Sequence, residues 1–290
     1  MPRNPVAQTA FGPIVLSAVE QQEPPDRRLV DDDLAASFLP KPLRALVRAT
    51  RFDAVRRMVI AASERSGPGL WANLACRKSY IDDNLAESLP DVAAVVILGS
   101  GLDTRPYRLA RHSDVPVFEV DLPVNIARKR AVVARVFGIA PSSVRLVSVD
   151  FERDELMATL ASDGYRQDSP AFFVWEGVTQ YLTPDAVAAT FDQLARAAAG
   201  SRLDFTYIRR DFIEGARLYG APAMYRQMRQ RSQLWKFGLL PEDVAGFLDQ
   251  YGWRLIDQAG PDEMMARYVR PAGRDLTASQ IEWSAYAEKI

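Results

Sequence analysis

VVILGSGLDTRPYRL, residues 95–109, begins as an uninterrupted apolar run and ends in a turn that contains Gly99 and Gly101. A short apolar run closed by glycine is typical of a strand that is buried on both faces of a parallel sheet. In such sheets, ligands bind beyond the carboxyl ends of the strands, where the strand order reverses. The stretch therefore predicts a ligand site at the two glycines, whose backbone lets a ligand approach closely.

The rest of the chain repeats this pattern of short apolar runs. Four more strand-like runs follow the first: PVFEVD, VRLVSVD, AFFVWEG and SRLDFTYI. Most are separated by stretches with helical spacing, such as NIARKRAVVARVFG. This alternation predicts an α/β fold, in which helices cover both faces of a parallel sheet. Two later runs, WRLIDQ and IEWSAYAEK, alternate more between apolar and polar residues, and we expect them to close the sheet as an antiparallel pair.

The helical segments outside the strand pattern suggest how the domain is organised. Residues 1–25 are expected to form a loose arm with a short apolar segment at residues 14–19. Apolar residues spaced by three and four predict a helix over residues 41–62. LTPDAVAATFDQLARAAAG predicts a helix that Thr183 caps, that starts at Pro184 and that ends at Gly200. We expect a single domain over residues 1–290, with an N-terminal helical cap (1–90), a cofactor-binding core (91–208 and 241–290) and a helical lid insertion (209–240).

Composition excludes several classes of function. With 36 basic and 37 acidic residues, the chain has a formal net charge of −1, which gives no overall field for nucleic acid or a membrane surface. The only cysteine is Cys76 and the only histidine is His112, so a multi-cysteine metal site is ruled out and a histidine-based zinc site is disfavoured. No apolar run reaches the roughly 18 residues of a membrane span, and the first residues lack a secretory apolar segment. We therefore expect a cytoplasmic protein without a metal.

The glycine turn does not have the pattern of a phosphate site. A dinucleotide fingerprint needs a third glycine where this chain has Thr104, and Asp103 would repel a pyrophosphate. A Walker loop is also missing, so a phosphate site is disfavoured, and with it a dehydrogenase. Acidic residues end three successive strands, however: Asp121, Asp150 and Glu176. They suit S-adenosylmethionine, whose ribose and amino group need acceptors and which carries no phosphate.

The motifs that surround these residues resemble a known family. GSGLDTRPYRL, FEVDLP and EGVTQYLTP, in this order, together with PPDRRLVDDDLA and RKSYIDDNL, resemble the bacterial branch of the leucine carboxyl methyltransferase-like family. The resemblance implies a class I methyltransferase (Rossmann-like) fold with a mainly parallel seven-stranded sheet and S-adenosyl-L-methionine as the cofactor. It also implies that Arg77 pairs with the cofactor carboxylate. The other residues that it places at the cofactor are Gly99, Ser100, Gly101, Asp121, Leu122, Asp150, Phe151 and Glu176.

The methyl acceptor is less well defined by the sequence. A carboxylate is already ionised at neutral pH and needs no base, whereas a phenol would benefit from one, so a carboxylate of a small metabolite is favoured. The resemblance places Tyr181 near the acceptor, as the candidate catalytic residue. The lid region carries seven basic and two acidic residues, and Tyr207, Arg209 and Tyr225 are candidates for binding an anionic or aromatic acceptor. Two alternatives stay open: a phenol or hydroxyl O-methyltransferase of secondary metabolism, and a non-catalytic S-adenosylmethionine-binding protein. Oligomeric state is open as well.

Overall fold

A seven-stranded sheet organises the part of the chain that the structure describes. The structure is a computed structural model and describes residues 11–290; the first ten residues of the expected arm lie outside the described residues. The strands are β1 (Ala94–Leu98), β2 (Val117–Asp121), β3 (Val144–Ser148), β4 (Ala171–Trp175), β5 (Arg202–Ile208), β6 (Trp253–Ala259) and β7 (Glu282–Lys289). Their order is β3-β2-β1-β4-β5-β7-β6. The first five strands pair in parallel, and β7 runs antiparallel to both of its neighbours.

Helices connect the strands and cover the sheet. They are α1 (Phe11–Glu20), α2 (Ala35–Phe38), α3 (Lys41–Ala49), α4 (Asp53–Ser66), α5 (Leu70–Ser88), α6 (Arg105–Leu109), α7 (Pro123–Phe137), α8 (Leu156–Ser162), α9 (Pro184–Leu194), α10 (Arg210–Ile213), α11 (Pro222–Tyr225), α12 (Val244–Asp249) and α13 (Pro261–Met264). Among the helices of residues 11–290, none combines the length and the apolar character that crossing a membrane requires.

Alternation along the strands divides the core into two layers. In β1, Val95 and Ile97 pack into the layer that α1, α5 and α7 cover. Val96 and Leu98 face the opposite layer, which α8, α9 and α12 cover. Because a strand with buried residues on both sides must be apolar throughout, β1 reads as an unbroken apolar run. The α/β fold and the antiparallel closing pair predicted from the sequence are confirmed.

Two helical predictions need correction. The helix expected over residues 41–62 is two helices, α3 and α4, because the backbone is extended at Phe52. The carbonyl of Thr50 at this break accepts a hydrogen bond from Nη1 of the buried Arg56, 3.2 Å away, which replaces a helical partner. Helix α9 is capped by Thr183, as predicted, but it ends at Leu194 rather than at Gly200.

The N-terminal segment is also more ordered than expected. Residues 14–19 belong to α1, whose last residue, Glu20, is fully buried. One carboxylate oxygen of Glu20 lies 2.9 Å from the Arg274 guanidinium, and the other accepts a 2.6 Å hydrogen bond from the Trp71 indole. These contacts tie α1 to α5 and to the chain that leads into β7. The division into cap, core and lid stays a prediction, although residues 209–240 do lie between β5 and β6.

A buried carboxyl group in β5 makes the stability of the fold depend on pH. Asp204 is fully buried, and one of its oxygens accepts a 2.8 Å hydrogen bond from the Asn84 amide, while the other has no hydrogen-bond partner among residues 11–290. Burial raises the pKa of Asp204 well above its usual range, and the Asn84 hydrogen bond offsets this only in part. A carboxyl group in this setting is neutral in the folded protein at pH values where the unfolded chain is ionised.

We expect Asp204→Asn to remove part of this pH dependence. Because the folded pKa lies above the unfolded one, the stabilising contribution of the protonated carboxyl group is complete below the unfolded pKa and is lost as the pH rises through the folded pKa. The melting temperature of the wild type should therefore fall, relative to that of Asp204→Asn, as the pH rises from the unfolded towards the folded pKa. Scanning calorimetry at a series of pH values measures this difference. Asp114→Asn, at an exposed position, is the control, and parallel curves for wild type and Asp204→Asn would contradict the assignment.

Candidate active site

A cavity of about 790 Å³ opens at the carboxyl ends of the parallel strands. It lies where the strand order reverses between β1 and β4, which is the usual ligand position in such a sheet. The candidate residues from the sequence that line it are Arg77, Gly99, Ser100, Gly101, Asp121, Leu122, Asp150, Phe151, Glu176 and Tyr181. The structure thus brings together residues from six separate parts of the chain.

The backbone amides of the glycine turn are already used within the protein. Gly99 and Ser100 both donate to the carbonyl of Val120, at 2.7 and 3.0 Å, and Gly101 donates to Oδ2 of Asp121 at 2.7 Å. Both glycines have positive φ, 72° and 45°, which other residues rarely adopt. A phosphate loop presents free amides to its ligand, so this turn is built for a ligand without phosphate.

A buried lysine contacts the backbone of the turn. Nζ of Lys129, in α7, donates to the carbonyl of Asp103 at 2.7 Å and forms a 2.5 Å ion pair with Glu119. Burial raises the pKa of Glu119 and the lysine opposes that shift. The Asp103 carboxylate accepts from the backbone amide of Arg105 at 2.8 Å and so begins α6. Lys129, Glu119 and the Asp103 carboxylate therefore stabilise the conformation of the turn.

Asp121 presents a fixed carboxylate at the end of β2. Its Oδ1 accepts from the Leu122 amide at 2.7 Å and from the Asn125 side chain at 2.8 Å, in addition to the bond from Gly101 to Oδ2. A carboxylate has about four acceptor positions, so one remains at Oδ2. Asn125 lines the cavity, and its side-chain oxygen has no hydrogen-bond partner in the part of the chain that the structure describes. Together, the two side chains can accept a pair of neighbouring hydroxyl groups.

The loop after β3 adds a flat apolar wall. Phe151 lines the cavity, and its ring centroid lies 6.2 Å from that of Trp175. The carboxylate of the preceding Asp150 accepts a 3.1 Å hydrogen bond from the amide of Glu152, which holds it at the rim. An aromatic face beside a carboxylate can accommodate a planar base that carries an amino group.

The opposite end of the cavity holds a buried ion-pair network. Nε of Arg77 donates to Glu176 at 2.9 Å, and Nη1 donates to the two oxygens of Glu282 at 2.6 and 2.7 Å. Glu176 also accepts from Arg105 at 2.7 Å and lies 3.7 Å from Lys78. Burial alone would raise the pKa of Glu176, but Lys78, Arg105 and Arg77 outweigh it and hold the pKa well below its usual range. Glu176 is therefore a permanent carboxylate, suited to an amino group rather than to proton transfer.

Sequence reasoning missed several residues of this site. Lys78 directly follows Arg77, and Asn125 lies one helical turn after Asp121, so local spacing could have indicated both. Glu282 reaches Arg77 from 205 residues further along the chain, and no local signal points to it. Asn73, which donates to Glu282 at 3.0 Å, is likewise found only from the structure.

Three of the candidate acceptor residues do not reach the cavity. Tyr207 is fully buried in the opposite core layer, because alternation along β5 turns it away from the cavity side. Arg209 pairs with Asp211 through two hydrogen bonds of 3.1 and 2.9 Å. Tyr225 packs edge-on against Phe212, with ring centroids 5.6 Å apart. The structure therefore does not support these three as acceptor contacts.

Four other residues of the lid line the cavity instead. Met224, Met228, Trp235 and Lys236 line the cavity from the segment between β5 and β6. Two of the lid arginines bind groups of the protein: Arg209 pairs with Asp211, and Arg229 donates to the carbonyl oxygens of Ile213 and Trp235. The charge of these two arginines, which the sequence suggested for binding an anion, thus supports the structure of the lid itself.

Comparisons with known proteins show which family and which fold the chain resembles. The family model described as leucine carboxyl methyltransferase matches residues 10–195. A candidate S-adenosyl-L-methionine-dependent methyltransferase of Mycobacterium marinum is 36% identical over 192 residues, which are 63% of this chain and 61% of that protein. The match thus spans about three fifths of the length of this relative. A similarly named protein of Mycolicibacterium smegmatis is 29% identical over 98% of this chain and 93% of its own.

A solved structure shares the fold over nearly the whole length. The crystal structure of a candidate methyltransferase from Thermobifida fusca superimposes with a TM-score of 0.58 at 18% identity and covers 98% of this chain and 97% of its own. At this sequence identity the structural similarity shows the fold alone, which is that of class I methyltransferases. The family match, which extends from α1 to the end of α9, includes the glycine turn and the acidic strand ends. The chain therefore belongs to the leucine carboxyl methyltransferase family.

Proposed function

We propose that the protein transfers a methyl group from S-adenosylmethionine to an oxygen atom of a small molecule, preferentially to a carboxylate. The observation that supports this proposal most strongly is the arrangement of Asp121, Asp150 and Glu176 around a glycine turn whose amides are already used. This arrangement offers acceptors for hydroxyl and amino groups and offers nothing for a phosphate.

The residues of the cavity fit the cofactor. In the proposal, Asp121 and Asn125 accept the two ribose hydroxyls, while Asp150 and Phe151 hold the adenine. Glu176 accepts the amino group of the methionine moiety, which passes along the glycine turn close to Ser100. The hydroxyl of Ser100 is buried and has no hydrogen-bond partner within the described residues, so it is available to this moiety.

Arg77 has a more restricted role than the sequence suggested. We expected it to pair with the cofactor carboxylate, yet two of its nitrogens are bound by Glu176 and Glu282. Its Nη2 remains and lies against Gly177, where a Cβ atom would approach it to 3.0 Å. We propose that this remaining nitrogen contacts the cofactor carboxylate, and that Gly177 leaves the space for it.

The chemistry requires alignment more than acid–base catalysis. A carboxylate oxygen forms a bond to the methyl carbon while the carbon–sulfur bond breaks and its electron pair goes to sulfur, giving a methyl ester and S-adenosylhomocysteine without release of a proton. The chain contributes by holding both reactants in line, a contribution that can be worth several orders of magnitude in rate. Tyr181 lines the cavity and is the candidate for orienting the acceptor.

The nearby carboxylates argue against a phenolic acceptor. A phenol would need a base in reach, and two of the carboxylates that line the cavity, Glu176 and Glu282, are already paired. Both are held by Arg77, and the low pKa of Glu176 makes it a weak base. The carboxylate acceptor is therefore preferred over the phenol or hydroxyl alternative. We further propose a cytoplasmic setting and a role in secondary metabolism.

Turnover with two panels of acceptors tests the proposal. The protein is incubated with S-adenosylmethionine that carries a deuterated methyl group, together with either carboxylic acids or phenols, and the products are analysed by mass spectrometry. We expect S-adenosylhomocysteine and labelled methyl esters from the acids. Ethers from the phenols alone would favour the alternative acceptor. Binding of S-adenosylmethionine without product from either panel would indicate a non-catalytic binding protein.

A further inference from the structure

The cavity extends beyond the residues assigned to the cofactor into an apolar compartment. Its walls come from four separate parts of the chain: α1, the start of α5, the lid and the residues at the start of β7. The apolar side chains of this compartment are Ile14, Leu70, Leu74, Met224, Met228 and Ile281. A ligand that fills it is enclosed by elements from both ends of the chain.

Two charged side chains that border this compartment, Glu282 and Lys236, have partners within the protein. Glu282 is bound by both Arg77 and Asn73. Lys236 is half-exposed at the rim, and its Nζ lies 3.8 Å from Glu152. A second charged group on the acceptor, placed away from the reacting atom, would therefore lose its hydration against apolar walls without gaining an ion-pair partner.

The lid residues of the compartment are adaptable in shape. Met224 lies against the turn before α5, since a Cβ on Gly67 would clash with its Cε. Met228, like Met224, is partly buried against an apolar cluster that includes Phe212, Ile213 and Trp235. Unbranched thioether side chains adjust to ligands of different outline, so they suit an apolar body of variable length better than a body with a fixed set of polar groups.

We infer that the acceptor is a carboxylic acid with an extended apolar body and with no second charged group. The inference rests on the proposed function for the identity of the reacting group, whereas the apolar body follows from the walls of the compartment. Met224 and Met228 would then be specificity-determining residues that contact this body.

A homologous series of straight-chain monocarboxylic acids tests the inference by binding and by turnover. Each added methylene should strengthen binding to the protein loaded with S-adenosylhomocysteine about fourfold until the compartment is full. Dicarboxylic acids of the same length should bind at least about tenfold more weakly, because the second carboxylate would be buried without a partner. Calorimetry measures both affinities without requiring methyl transfer.

A matched pair of methionine variants locates the effect. Met228→Gln should lower kcat/KM for the longest accepted acid about tenfold and leave the affinity for S-adenosylmethionine within about twofold of the wild type. Met58→Gln carries the same chemical change at a side chain that is 60% exposed and outside the cavity, and it should behave as the wild type. Equal effects of the two substitutions would contradict the inference.

The proposed methyl transfer to carboxylates and the inferred apolar acceptor can be refuted separately. Esters that form at rates independent of chain length would overturn the apolar acceptor and leave the proposed function intact. Acids that bind with the predicted dependence on chain length but yield no ester would support the compartment and refute the methyl transfer to carboxylates. If dicarboxylic acids bind as well as monocarboxylic acids, or if no acid binds, the inference is wrong.

Discussion

Replacing Asp121 with alanine is expected to weaken the binding of S-adenosylmethionine about 10- to 150-fold. The loss corresponds to roughly 1.5–3 kcal/mol, the usual contribution of a hydrogen bond to a charged group. Asp121 is only 6% exposed and also accepts a hydrogen bond from Gly101, so the substitution removes a ligand contact and loosens the turn at the same time. Isothermal titration calorimetry measures the affinity directly.

The control for this prediction is Asp114→Ala, which removes an exposed carboxylate away from the cavity. It should bind the cofactor as the wild type does. Circular dichroism shows whether the Asp121→Ala protein remains folded. An unchanged affinity in a folded Asp121→Ala protein would exclude Asp121 from the cofactor site.

Replacing Arg77 with methionine is expected to lower the free energy of unfolding by about 3–5 kcal/mol, because it leaves buried carboxylates without their partner. Glu176 would keep its contacts with Arg105 and Lys78, whereas the Glu282 carboxylate would keep, among the described side chains, the Asn73 amide. The loss therefore arises mainly at Glu282. Urea denaturation monitored by circular dichroism measures the unfolding free energy.

The double variant Arg77→Met with Glu282→Gln separates the contributions. Because glutamine carries no charge, it should restore more than half of the lost stability. Cofactor binding should stay impaired in the double variant, since the Nη2 donor is missing. If Glu282→Gln restores no stability, the ion pair at Arg77 does not carry the energetic role assigned to it here.

The strand pattern made most of the fold predictable from the sequence. Runs such as the one over residues 94–98 are apolar because both of their faces are covered, and turn residues mark where they end. Acidic side chains at strand ends are local features too, so Asp121, Asp150 and Glu176 could be predicted as residues of the ligand cavity, which they do line. The same holds for the glycine turn, which directly follows β1.

What the sequence did not reveal depends on which faces meet in the folded chain. Tyr207 and Thr206 are neighbours in β5, and alternation places only one of them on the cavity side, but the sequence does not say which one. Thr206 takes that side and accepts a hydrogen bond from the Gly177 amide, so Tyr207 is buried in the other layer. Likewise, the partner of Arg77 on β7 becomes visible only when the two ends of the chain are brought together.

The lid shows a second reason why the residues predicted to contact the acceptor differ from those that line the cavity. Its excess of basic residues suggested an anion site, yet charge counts do not include the acceptors within the same segment. Arg209 is satisfied by Asp211, and Arg229 by carbonyl oxygens of the lid backbone. Met224 and Met228, two apolar residues between these arginines, line the cavity, as Trp235 and Lys236 do.

Calorimetric titration of the purified protein with S-adenosylmethionine and, in parallel, with NADH tests the central claim most directly. We predict saturable binding of S-adenosylmethionine and no binding of NADH, since the amides of the glycine turn are used within the protein and Asp103 lines the cavity beside the turn. Binding of NADH without binding of S-adenosylmethionine would contradict the account, because the turn would then hold a pyrophosphate.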